Sequence, residues 1–323
     1  MSVSSKNYKY LFWDEAPAPI EVTGAKGNYL FEGKKRYLDF MMGWNVGNIG
    51  WNNEAVMKVI RDFDGPNYVT PDYMYRPWGD LAKLIASVAP GNLKISMRAT
   101  GGTEAVEIAL QTAMVHTKRT GFVSIEGSYH GHSIGAMSVG RSSWRKHWTN
   151  LLPNCYKVNA PLDGDAARKI EKIIKTEKIA AFIAEPIVCN LGVEIPTKEF
   201  YQIVSEACKT YNTLMIMDEV ATGFGRTGKM FASEHYNLKP DLMTLGKGMS
   251  GGYSGIGATI ATPEVADSMR FYFSAYSTYG WTPIATAATT ANIKYIIKNK
   301  LLPESVTNAS ATVNSIPPVI KIT

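Results

Sequence analysis

Cysteine is scarce in this chain. Cys155, Cys189 and Cys208 are the three in 323 residues. They are too few and too far apart for a disulfide framework or a zinc site, and they read as free buried thiols in a reducing compartment. Long apolar runs are also lacking, and none approaches the ~18 residues that a membrane span needs. The N-terminus, MSVSSKNYKYLFW, offers neither the apolar centre nor the cleavage site of a secretion signal. Without such a signal, the sequon Asn308-Ala309-Ser310 carries little weight. No basic face stands out. Lys and Arg number 34 against 28 Asp and Glu, a formal charge of +6, and the densest cluster, Arg141 to His147, is small. Nucleic-acid proteins concentrate such charge on one surface. These absences predict a cytoplasmic chain with no nucleic-acid or membrane partner. The mild basic balance suits anionic small molecules.

What is present is an ordinary globular composition, 45% hydrophobic and 19% charged, which excludes wholesale disorder. The length allows about two domains or one large α/β domain. Tyr29 to Phe40 reads as a hairpin about Glu32-Gly33-Lys34. A helix is predicted over Asn53 to Asp62. From Asp80 onward, helix and strand patterns alternate. Leu81, Leu84, Ile85 and Val88 form an amphipathic stripe. Further helices are predicted over Thr103 to Lys118, around Ile170 to Ile174, over Phe200 to Ala207 and over Ile284 to Tyr295. Strands are predicted over Phe122–Glu126, Ala181–Ile187, Leu214–Met217 and Asp241–Leu245. This alternation predicts a mostly parallel sheet covered by helices on both faces, with ligands beyond the carboxyl ends of the strands. Beyond Lys300 the chain turns to Ser, Thr, Asn and Val, with Pro317-Pro318 and no clear period.

Several residues after those strands have chemical potential. Gly101-Gly102-Thr103 opens a helix, where free N–H groups and a hydroxyl make a phosphate cradle, although such a turn is more often only a turn. Asp218 ends a buried strand and reads equally as a structural ion pair and as the partner of a protonated ligand nitrogen. Lys247, between Gly246 and Gly248, is a loop lysine or a nucleophilic amine. Tyr129-His130-Gly131-His132 is an ordinary aromatic turn or a platform for a flat ligand, and it lacks a nearby third ligand for a metal. Taken together, these features meet the needs of pyridoxal 5′-phosphate, which uses a lysine Schiff base and an acid facing its ring nitrogen.

On these residues the sequence resembles the class III pyridoxal-phosphate-dependent aminotransferases, from about Tyr29 to about Tyr295. The strongest segment is LMIMDEVATGFGRTGKMFASEHYNLKPDLMTLGKGMSGG, Leu214 to Gly252. Gly-Gly-Thr-Glu-Ala at 101–105, Tyr-His-Gly at 129–131 and Glu185-Pro186 follow the family's order. The resemblance implies the α/β type I fold of pyridoxal-phosphate-dependent transferases. It implies a Schiff-base lysine at Lys247 and a ring-nitrogen acid at Asp218. It also implies phosphate ligands at Gly102 and Thr103, a stacking ring at Tyr129, Val220 on the opposite ring face and Glu185 near the cofactor. Thr278 matches a threonine that reaches the phosphate of a neighbouring subunit, which implies a homodimer with shared sites. The implied reaction is a ping-pong transfer from an amino acid or amine donor to a keto acid or aldehyde acceptor.

GFGRTG at 223–228 resembles the ornithine, 4-aminobutyrate and related ω-amino-acid transaminases. A glutamate-1-semialdehyde aminomutase-like isomerase ranks second and an amino-acid racemase third. Trp51, Asn53 and Trp281 depart from the usual His, Pro and Gly, and the Trp281 indole is expected to pack at a dimer interface rather than narrow the substrate entrance. The expected organisation is an N-terminal segment (1–50), a large cofactor domain (51–300) and a truncated or aberrant start of a C-terminal small domain (301–323). A truncated, cofactor-binding but catalytically impaired copy is therefore a further reading.

Overall fold

Aromatic side chains at alternate positions build the first sheet. In the computed structural model, which describes residue 10, residues 20–272 and residues 276–302, β1 (Gly24–Lys26), β2 (Tyr29–Glu32) and β3 (Lys35–Leu38) form a three-stranded antiparallel sheet. The expected hairpin is β2 and β3. A short turn, α1 (Met42–Asn45), follows, with Gly43 and Trp44 in the left-handed region. Asn53 caps α2 (Glu54–Arg61), its side chain accepting from the Ala55 N–H at 3.0 Å. An asparagine thus starts this helix by side-chain capping. Trp51, the other departure nearby, donates from its indole to Asp39 Oδ2 at 2.9 Å.

Helix α3 (Arg76–Val88) buries Trp78, Leu81 and Ile85 along one stripe. The chain then runs through β4 (Ile95–Ala99), α4 (Gly102–Thr117), β5 (Gly121–Ile125), α5 (Ile134–Val139), β6 (Cys155–Val158), α6 (Gly164–Thr176), β7 (Ile179–Ala184) and α7 (Lys198–Thr210). It closes with β8 (Leu214–Asp218), β9 (Leu242–Leu245), β10 (Gly257–Ala261), α8 (Pro263–Asp267) and α9 (Pro283–Lys298). Seven of these strands form one sheet in the order β4-β10-β9-β8-β7-β5-β6. Only β10 runs against its neighbours, pairing antiparallel with both β4 and β9, while the pairs β9–β8, β8–β7, β7–β5 and β5–β6 are parallel.

Each face of the sheet is sealed by its own core. Met215 and Met217 of β8 pack with α3, α6, α7 and α9 residues such as Ile85, Ile170, Val204 and Ile293. Leu214 and Ile216 point the other way, towards Val106 and Ala109 of α4 and Val139 of α5. This period-two division is what a strand buried on both faces requires. The architecture is the type I fold expected from the sequence.

Four strands escape the sequence pattern: β1, β4, β6 and β10. Strand β7 also ends earlier than expected, at Ala184, because Pro186 has no N–H to donate to a ladder. Trp281 corrects another expectation. It is buried within its own chain, donating from Nε1 to Gly257 O at 2.7 Å and accepting from Trp78 Nε1 at 2.6 Å. The expected tail, beyond Leu302, lies outside the described residues. Among the described residues, no helix is long and apolar enough to cross a membrane.

Candidate active site

Five strands running in one direction deliver their following loops to one edge of the sheet. Strand β4 leads to Gly102 and Thr103, β5 to Tyr129 and His130, β7 to Glu185, β8 to Asp218 and β9 to Lys247. The carboxyl edge of such a sheet is where ligands bind in open α/β folds.

Close backbone approaches show that these loops meet. A Cβ on Gly246 would lie 3.1 Å from Gly102 N and 3.4 Å from Val220 Cγ1. A Cβ on Gly102 would lie 2.7 Å from the same Val220 methyl. Gly102, Val220 and the turn carrying Lys247 therefore touch, and glycine is needed for the contact. The turn after β5 joins them, since a Cβ on Gly131 would lie 2.9 Å from Thr103 Cβ. Gly102→Ala forces a methyl into Val220, and we expect a loss of about 1–3 kcal/mol by overpacking. Urea unfolding checks this, and Val220→Ala in the same chain should recover most of the loss.

Asp218 is buried and fully engaged. The His130 Nδ1–H donates to Oδ2 at 2.7 Å, and Oδ1 accepts from Thr244 Oγ1 at 2.9 Å and from Val220 N–H at 3.1 Å. Thr244 reaches it because the two residues are register partners across β8 and β9. His130 is itself buried, and its Nε2 has no partner. Beside it, Glu185 accepts from Cys189 N–H at 3.4 Å through Oε2, while Oε1 is buried without a partner. Burial, assisted by the negative charge of Asp218, pushes the Glu185 carboxyl up to about 7 against the opposing pull of His130. The Cys189 thiol is pushed up to about 12, chiefly by burial and by Glu185, which makes it a poor nucleophile.

The Glu185 shift has a consequence for stability. Its carboxyl holds a proton in the folded chain between pH 4.5 and about 7, where the unfolded chain has released it. Stability contributed by this group therefore falls as pH rises through that window. Glu185→Gln should flatten that fall, as measured by urea midpoints across the same pH range.

Lys247 adopts a left-handed φ of 40°. Its turn is pinned by Met249 N–H donating to Gly246 O at 2.8 Å, and by Asn292 Nδ2 of α9 donating to Gly248 O at 3.0 Å and Met249 O at 2.9 Å. Glu219, next to Asp218, is fully buried and accepts from Ala232 N–H at 3.0 Å and from Ser233 N–H and Oγ, both at 2.7 Å. Thr222 Oγ1 also donates to it, so the loop after β8 is stapled shut at its base.

Tyr129 is half-buried, packed edge-on against His132 at 5.1 Å and Trp144 at 6.1 Å. Burial raises its phenol, and the Asp218 charge adds to the shift. Thr278 stands apart. It is exposed on the turn before α9 and shares no hydrogen bond with the cluster among the described residues. The sequence places His130 in the Tyr129–His132 motif without a role of its own, and it does not single out Thr244 or Asn292. Their partners lie 88, 26 and 43–44 residues away along the chain, so local patterns carry no signal of the contacts.

A glycine-rich helix start, a buried acid and a lysine on a pinned turn follow strands at one edge of the sheet, and comparison with known proteins assigns the chain. The family model for class III aminotransferases matches residues 13–315. The chain belongs to the class III, pyridoxal-phosphate-dependent aminotransferase family. It is 36% identical to the putrescine aminotransferase of Pectobacterium atrosepticum over 307 residues, which cover 92% of this chain and 63% of that relative. The chain thus spans less than two thirds of that relative's length. Among solved structures, an amine transaminase from an uncultivated Pseudomonas species, in its cofactor-bound form, superposes with a TM-score of 0.85 at 30% identity. That match covers 93% of this chain and 77% of the other. The taurine:2-oxoglutarate aminotransferase of Bifidobacterium kashiwanohense, solved with pyridoxal phosphate and glutamate, gives 0.87 at 26% identity, covering 93% and 73%.

Proposed function

We propose that this chain carries the catalytic core of a transaminase, moving an amino group from an amino acid or amine to a keto acid or aldehyde with pyridoxal 5′-phosphate as cofactor. The observation that carries the reading is the buried Asp218 carboxylate, held by His130, Thr244 and the Val220 backbone at the sheet edge where β9 leads to Lys247. The residues fit the cofactor. Asp218 uses three of its ~four acceptor positions, leaving one for a ring N–H. Glycine at 102 lets the start of α4 lie directly against Val220. His130 Nε2 and Glu185 Oε1 are buried polar atoms that still lack partners.

Bound there, pyridoxal 5′-phosphate supplies an aldehyde for the substrate amine and an electron-withdrawing ring. Gly102 and Thr103 hold its phosphate with the N–H groups and the hydroxyl at the start of α4. Asp218 keeps a proton on the ring nitrogen, and His130 keeps the carboxylate oriented. Val220 and Tyr129 confine the ring from its two faces. Lys247 Nζ moves a proton at the substrate carbon that bears nitrogen. The Glu185 carboxyl is tuned near neutrality beside these groups.

In the same reading, the active form is a homodimer, and the exposed Thr278 completes the phosphate site of the partner subunit. Tyr279 and Tyr276, on the same exposed turn, suit a surface that a second copy covers. The test is a two-step titration. With cofactor bound, an amino donor alone should bleach the visible band and release one keto or aldehyde product per site. A keto acid or aldehyde acceptor should then restore the band. Recovery of the band without any acceptor would instead indicate an isomerase or a racemase.

A further inference from the structure

A pocket of about 460 Å³ opens at the amino edge of the sheet, opposite the edge that carries Asp218 and Lys247. Arg119 lines it just before β5, and Lys178 just before β7. None of its residues belongs to the turn before α9, through which the proposed homodimer pairs, or to the segment before α3. Helices α4, α6 and α7 all end here, and helix C-termini attract cations. Arg119 answers part of that demand. Its Nη1 donates to Tyr211 O and Asn212 O, both at 3.0 Å, and to Ile179 O at 3.2 Å. These bonds hold one side of the guanidinium. Its Nε and Nη2 donate to no group among the described residues, and no carboxylate there pairs with it. The Lys175 and Lys178 ammonium groups likewise have no hydrogen bond or ion pair among the described residues. Lys118 leans over the Tyr272 ring, 5.8 Å from its centroid. The single acid of the lining, Glu177, accepts from the Tyr156 O–H at 2.8 Å. Four cations therefore face one acid. They come from two stretches far apart along the chain, so the sequence shows no basic face.

We propose that this pocket binds a small anion carrying several linked phosphate groups, one on the free edge of the Arg119 guanidinium and the others on Lys175 and Lys178. An oriented guanidinium edge meets phosphate oxygens with two parallel bonds, while lysines act as compact charges on flexible stems. A surplus of three positive charges asks for more than one negative charge, and linked phosphates supply one for each cation. The pocket volume lies in the range of small-molecule sites. The site is separate from the cofactor site and does not depend on the transaminase reading.

The test uses inorganic tripolyphosphate as the probe and the chain loaded with pyridoxal 5′-phosphate, so that the cofactor site is filled. Isothermal titration at about 0.15 M ionic strength, where distant surface charges are screened, should show one site per chain. The double variant Lys175→Gln/Lys178→Gln should weaken binding about tenfold or more, the loss of two close charges. Neither ammonium holds another group, so this variant should melt like the parent. Lys169→Gln/Lys172→Gln removes two exposed cations of α6 that lie outside the pocket, and should change binding by less than about twofold. Arg119→Lys keeps the charge, loses the fork and should also weaken binding. Citrate, with carboxylates in place of phosphates, should bind more weakly than tripolyphosphate. Absence of binding to the parent would overturn the proposal. Equal losses from the two lysine pairs would do the same, because they would mean diffuse attraction to a basic surface. Citrate binding as tightly as tripolyphosphate would overturn the assignment to phosphate groups.

Discussion

The Lys247→Ala chain is expected to lose transamination by at least about 10⁴-fold while folding normally, since the substitution removes the amine to which the proposed mechanism gives the proton transfer. Three features of the structure support so large an effect. Lys247 sits in a left-handed turn fixed by Gly246 and by the side chain of Asn292. That turn touches Gly102 and Val220 through Gly246. Among the described residues, the side chain makes no hydrogen bond or ion pair whose loss would unfold the chain, and thermal melting should change little. Single-turnover mixing with an amino donor measures the rate. Retention of a tenth of the parent rate would remove Lys247 from the mechanism.

Asp218→Asn should lower kcat by about 10²–10³-fold, the scale on which removing one preorganised electrostatic contact acts. The amide keeps the shape of the carboxylate but not its charge. It can still accept from Thr244 and the Val220 N–H, while its NH₂ faces the His130 Nδ1–H that now donates at 2.7 Å. His130 must then switch tautomer or lose the bond, and Nε2, already unpartnered, inherits the change. Cofactor affinity, read from fluorescence titration, should fall with kcat. A variant with unchanged kcat and affinity would mean that Asp218 is only a structural anchor.

How much of this was legible in the sequence depended on where the partners lie. Strands β7 and β8 are short apolar runs buried on both faces, and such runs announce themselves. The loops that follow them carry Glu185, Asp218 and Glu219, so the fold class and the carboxyl-edge rule led directly to the cleft. Lys247 was visible through its flanking glycines. Strand β10, Gly-Ala-Thr-Ile-Ala, is made of small residues that hide a central strand. Strand β4 carries Ser96 and Arg98 on one side, which breaks the apolar pattern even though its other side is core. His130 and Asn292 act on residues far along the chain, and only the assembled sheet and α9 bring them into place. Trp281 illustrates the reverse case. A bulky residue at an unusual position suggested an interface, but its left-handed backbone and its bond to Gly257 O place it in the chain's own core.

In the proposed mechanism one particular lysine of this chain, Lys247, engages the cofactor. Lys157 is the natural rival, because burial lowers its pKa to about 8 and so leaves more of its amine neutral. Its Nζ, however, donates to Ser138 O at 2.8 Å and Ser124 Oγ at 3.3 Å, on the edge strand β6 and away from the Asp218 cleft. Borohydride reduction of the chain mixed with pyridoxal 5′-phosphate, followed by peptide mass spectrometry, distinguishes the two. The label is predicted on the peptide containing Lys247, in near-stoichiometric amount, and absent from the Lys247→Ala chain. Labelling confined to Lys157, or scattered over surface lysines with none at Lys247, would contradict the account.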